Sequence, residues 1–77
     1  MDKDHDIGHV SVEGKILQID VDGIHYAFDL PRHSRRLANA TPEQCANLRI
    51  SPSGYGIHWP DVDEDLSING LIRDAAT

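Results

Sequence analysis

A single cysteine among 77 residues cannot close an internal disulfide. That excludes a disulfide-stapled secreted scaffold and makes a reducing cytosol the expected setting. Uninterrupted apolar runs reach at most three residues, too short for a transmembrane helix or a signal-peptide core. Basic residues are scarce, seven against thirteen acidic ones, for a net charge of −6. A globally acidic surface repels phosphate backbones, so nucleic acid is not the expected partner. The length excludes a multidomain enzyme. What is present suffices for a fold: Leu, Ile, Val and Phe number 19, above the level at which disorder becomes the default. In so small a domain, apolar burial and chain entropy nearly cancel, and association is a natural supplement.

Residues 1–6, MDKDHD, are polar and read as a flexible tail, leaving 7–77 as one domain. Three segments with period-two patterning follow. Ile7 to Val12 sets Val10 and Val12 opposite His9 and Ser11; Lys15 to Val21 sets Leu17, Ile19 and Val21 opposite Gln18 and Asp20. Ile24 to Leu30 points Ile24, Tyr26, Phe28 and Leu30 inward. Glu13-Gly14 and Asp22-Gly23 are the expected two-residue loops. The result is an antiparallel meander. Pro31 ends it, and His33 to Asn39 forms a short helical turn with Leu37 inward. Thr41-Pro42-Glu43-Gln44 spells a capping box with proline at the first helical position. Its helix runs to about Asn47 and buries Cys45 as a small hydrophobe. Strands follow at Leu48 to Ser51 and Tyr55 to Trp59, with a trans Trp59-Pro60 bond, an acidic turn at Asp61 to Asp65 and a last helix over Ser67 to Arg73. The expected fold is α+β: an antiparallel β-meander plus a β-hairpin, with two short helices packed on one face.

The stretch from Thr41 to Leu71, and above all Gly54 to Leu71 (GYGIHWPDVDEDLSINGL), resembles the small bacterial family known as domain of unknown function 2442. The resemblance implies an α+β fold like the amino-terminal domain of longer bacterial proteins, in which a helix-turn-helix domain follows. It also implies a pairing with a second small protein, of antitoxin-like character. It supplies no catalytic residue.

Four constellations can carry chemistry. His58 with Asp61, Asp63 and Asp65 could hold a hard cation. The D-x-D-x-D opening then departs from a calcium loop, with Leu66 in place of the glycine and Ile72 in place of the bidentate glutamate. A metal- or small-ligand-binding domain is therefore the rival reading. Arg32, His33, Arg35 and Arg36 form a basic patch that could pair with Asp61 to Asp65 between two copies, a route to a homodimer. Cys45, mid-helix and facing the sheet, reads as a buried small hydrophobe rather than a nucleophile. Trp59 and Tyr55 read either as core or as interface anchors. The preferred reading is a cytosolic, non-catalytic module without cofactor that docks a second small protein. Its docking edge is Tyr55, His58, Trp59, Asp61, Asp63 and Asp65, with Trp59 as anchor and Arg32, Arg35 and Arg36 as a secondary patch.

Overall fold

Alternating apolar residues need a partner strand, and two-residue loops supply it from the next segment. In the computed structural model, which describes residues 4–75, strands β1 (Ile7–Glu13), β2 (Ile16–Val21) and β3 (Ile24–Asp29) pair antiparallel in sequence order. Leu17, Ile19, Val21 and Phe28 are buried on one face. The Asp22-Gly23 loop has both residues at positive φ, the signature of a type I′ hairpin. The first loop sits one residue later than expected. Glu13 pairs with Ile16, so Gly14 and Lys15 form the loop, with Gly14 as its first, positive-φ residue. Four residues of β1 (Ile7 to Val10) lie opposite three of β2 (Val21 to Ile19). This bulge lets Ile7 join Val10 and Val12 against the core despite the odd spacing. Ile24 departs from expectation: at the end of an edge strand, beyond the reach of the core, it is 56% exposed.

Strand β3 runs directly into α1 (Leu30–His33), with Pro31 in its first turn, and then α2 (Arg35–Ala38). The single helical turn expected over His33 to Asn39 is thus split. Ser34 between the two is extended, and its buried hydroxyl explains the break. Its Oγ accepts from Leu37 N at 3.2 Å and donates to Glu64 Oε2 at 2.6 Å. Helix α3 (Pro42–Ala46) carries the complete Thr41/Gln44 capping box.

The second half is a three-stranded antiparallel sheet, not the expected hairpin. Its strands are β4 (Arg49–Ile50), β5 (Gly56–Trp59) and β6 (Glu64–Ser67). The acidic turn therefore shrinks to Pro60–Asp63, and Asp65 and Leu66 lie in a strand. Helix α4 (Ile68–Ala75) follows, with Ser67 Oγ accepting from Gly70 N at 2.9 Å. Every described peptide bond is trans, Trp59-Pro60 included. Ile57 and Trp59 from the second sheet, Leu30, Leu37 and Cys45 from the helical segment, and Ile68 and Leu71 from α4 join the first sheet in one core. Among the described residues no helix is long and apolar enough to cross a membrane.

Of the segment read as a tail, residues 1–3 lie outside the described residues. Asp4 to Asp6 differ from that reading, because each is tied down. Asp4 N donates to Ser53 O at 2.8 Å, and Asp22 N donates to Asp6 O at 2.8 Å. His5 reaches Asp22 Oδ2 through Nδ1 at 2.7 Å and Asn69 Oδ1 through Nε2 at 2.6 Å. An imidazole can donate both bonds only when protonated. The bond to Asp22, and after it the bond to Asn69, raise the His5 pKa against the opposing effect of burial. The same bond, with the Asp6 N–H, lowers that of Asp22. The sign follows from linkage. The His5 contribution is full below its unfolded pKa near 6.5 and is lost as pH rises through the raised folded value. The Asp22 contribution is lost as pH falls through its lowered value. We therefore expect a lower melting temperature at about pH 8.5 than at about pH 5.5, with His5→Ala shrinking the difference in calorimetry. A His5→Ala protein with the same pH difference as wild type would refute the clasp.

Candidate functional site

Because strand side chains alternate, burying Ile57 and Trp59 turns Gly56 and His58 to the open face of the second sheet. The register then sets a neighbour on either side of His58: Arg49 on β4 and Asp65 on β6. A guanidinium, an imidazole and a carboxylate thus form one row across three strands. His58 Nδ1 lies 2.9 Å from Asp65 Oδ1. Arg49 has no ion pair among the described residues and is exposed. Beside this row lies a groove of about 500 Å³ whose lining includes Ile50, Pro52, Tyr55, Gly56 and Leu66; Ile50 and Leu66 pair with buried Ile57 and also pack against the core. The Tyr55 side chain stands 55% exposed at one end. The 51–54 turn holds it there: Tyr55 N and Gly56 N both donate to Ser51 Oγ, at 3.0 and 3.1 Å.

Of the six residues expected to form a docking edge, Tyr55, His58 and Asp65 meet in this groove. The other three do not. Trp59 faces the opposite way and is fully buried, its Nε1 donating to Cys45 O at 2.8 Å. It is a core residue and cannot serve as an exposed anchor. Asp61 lies in the β5–β6 turn, where Oδ2 accepts from Asn47 Nδ2 at 2.9 Å. Asp63 sits at φ 52 in the same turn, its carbonyl accepting from Arg36 Nη1. The expected cation donors are consequently strung along a hairpin. Among the described residues no three His, Cys, Asp or Glu side chains gather as ligands.

The secondary patch of Arg32, Arg35 and Arg36 is exposed. Within one copy Arg36 reaches the acidic turn, but through the Asp63 backbone carbonyl and not a carboxylate. Cys45 is buried as expected. Burial pushes its thiol pKa up, and Sγ donates to Leu37 O at 3.6 Å. Arg49 and Pro52 escaped the sequence reading. Pairing β4 antiparallel to β5 across the Ser51 to Gly54 turn brings Arg49 beside His58, but two residues are too short a strand to show a pattern.

The family model for proteins of unknown function DUF2442 matches residues 7–77. The chain belongs to this family. The groove of this DUF2442 domain lies inside the matched region, whereas His5 precedes it. A crystal structure of a protein of unknown function from Rhodospirillum rubrum ATCC 11170 is similar in fold. It has a TM-score of 0.77 and 28% identity, over 94% of this chain and 89% of that one. No curated protein matches the sequence. The family description assigns no activity to a DUF2442 domain, so function must be argued from the groove.

Proposed function

We propose that this domain is a non-catalytic, cytosolic interaction module that docks a second small protein on the open face of its second sheet. The observation that carries the reading is the Arg49–His58–Asp65 row beside an apolar groove with Tyr55 exposed at its end. Tyrosine and arginine around an apolar floor are the residue types that dominate protein interfaces. Arg49, with no ion pair among the described residues, suits a partner that presents a carboxylate. The non-catalytic part is supported by the two serine hydroxyls of the groove. Ser51 Oγ holds the 51–56 turn and Ser67 Oγ caps α4, so neither is poised as a nucleophile. The buried single thiol suits a reducing compartment. The acidic balance of the chain favours a protein over nucleic acid. An antitoxin-like pairing is the most specific form of this proposal. A small ligand in the same groove is the second reading, favoured by its volume of about 500 Å³, which lies within the usual range of ligand pockets.

The test is affinity capture of the tagged chain from lysate of its source, followed by titration with the purified partner. Tyr55→Ala and Arg49→Glu should each weaken binding about 30-fold, with melting temperature unchanged within about 3 °C. Undiminished affinity in both variants would remove the groove as the docking surface. A thermal shift produced by a metabolite and abolished in both variants would favour the ligand.

A further inference from the structure

Each sheet of this fold has two edges, and three of the four are protected. Strand β1 carries a bulge and packs against α3. Strand β4 has two residues, and β6 carries Glu64 and Asp65 and is followed by α4. The fourth, β3, is six residues long, without bulge, proline or lysine, and β2 is its main neighbour. Its ladder parity is set by the hairpin. The two-residue Asp22-Gly23 loop makes Val21 and Ile24 a hydrogen-bonded pair. At the other end, Leu30 N donates to Lys15 O at 3.1 Å. The even-numbered residues of β3 therefore aim their backbone groups at β2. The N–H and C=O groups of His25 and Ala27, and the N–H of Asp29, aim away from the sheet.

That outward row is self-complementary. We propose that β3 pairs antiparallel with β3 of a second copy of this chain, about a two-fold axis at Ala27. In this register the two Ala27 residues exchange both backbone hydrogen bonds. Each Asp29 N–H meets the His25 carbonyl of the second copy. On the outer face each His25, whose ring reaches Asp20 Oδ1 and Gln18 Oε1 of its own chain at 2.7 Å each, stands opposite an Asp29 carboxylate, which joins this polar row. Centring the contact on His25 or on Asp29 would set like residues face to face, so charge selects Ala27 as the centre. On the inner face Tyr26 of one copy lies opposite Phe28 of the other. Tyr26 and Phe28 already stack within the chain, with centroids 5.4 Å apart, so the pairing extends an aromatic layer. Ile24, 56% exposed, falls opposite Leu30 of the second copy. A cavity of about 480 Å³, lined by Ala27, Phe28, Asp29, Arg32, His33 and the Asp74–Ala75 end of α4, opens beside the centre of the strand. This surface belongs to the first sheet and goes beyond the groove of the second. The contact is short, so the dimer is of the transient class.

Sedimentation velocity of the full chain, from about 10 μM to about 1 mM, should show a concentration-dependent monomer–dimer equilibrium. Ala27→Pro removes the central N–H on the side away from β2, a place where an edge strand tolerates proline. It should be monomeric throughout with wild-type circular dichroism. His25→Glu should weaken dimerisation at least about tenfold, and adding Asp29→Arg should restore it. This charge exchange carries the test if Ala27→Pro fails to fold. A wild-type chain that stays monomeric at every concentration would overturn the proposal. So would a dimer indifferent to both the proline and the charge variants.

Discussion

Trp59→Ala is expected to cost about 3–5 kcal/mol, the range for emptying a buried aromatic site. A domain of this size has a total stability of only about 4–12 kcal/mol. The melting temperature should fall by about 12–40 °C, and at the upper end the protein is unfolded at room temperature. The reason is position. Trp59 is the largest fully buried side chain, set among residues of both sheets and α4 in the shared core. Its indole also satisfies the Cys45 carbonyl at 2.8 Å. Trp59→Phe separates the two contributions. It keeps much of the ring volume but leaves a buried carbonyl without its donor, for a loss of about 1–3 kcal/mol from that source. Equilibrium denaturation followed by circular dichroism measures both. A Trp59→Ala protein of near wild-type stability would show that the indole is not a core element.

The second large effect is expected at Gly54. This residue sits at φ 73 in the turn before β5, and a Cβ there would land on the His5 carbonyl oxygen. Alanine therefore adds the left-handed strain of about 1–2 kcal/mol to a collision with backbone that has no room to rotate away. The segment around His5 should lift off. The hydrogen bonds from Asp4 and His5 to Ser53, and those of His5 to Asp22 and Asn69, would go with it. At about 0.5–1.5 kcal/mol per bond, the four bonds and the strain together come to about 3–8 kcal/mol. Gly14 is the control: its φ of 62 is similar, but a Cβ there meets nothing within 4 Å. Gly14→Ala should lose only the strain. In amide exchange, Gly54→Ala should strip protection from the Asp22 amide, which donates to Asp6, while Gly14→Ala leaves it intact. Equal losses of stability in the two variants would mean that docking of residues 4–6 contributes nothing.

Local chemistry made half of this fold legible. The Thr41/Gln44 capping box needs only four consecutive residues, and both of its bonds form as the spacing requires. The Asp22-Gly23 loop and the alternation of β2 are equally local. Strand β6 was not legible, because Glu64, Asp65 and Ser67 surround a single aliphatic residue and read as solvated turn. It is a strand because β5 offers it a ladder, a tertiary cause that overrides a weak propensity. The same holds for Trp59. Period two placed it with Ile57, but periodicity does not say which face of a sheet is covered. Helix α4 and the Cys45 segment cover this one. The bulge in β1 was hidden because an inserted residue disguises its own alternation. His5 gave no signal, since its partners Asp22 and Asn69 lie 17 and 64 residues away.

The bond between the Trp59 indole and the Cys45 carbonyl also makes the protein self-reporting. The chain has one tryptophan and one cysteine, both are fully buried, and the indole of one bonds the backbone carbonyl of the other. Indole emission and thiol alkylation are therefore an optical and a chemical reading of core opening, one from the second sheet and one from α3. Their agreement or divergence tells whether the domain opens as one cooperative unit or sheds its second sheet first.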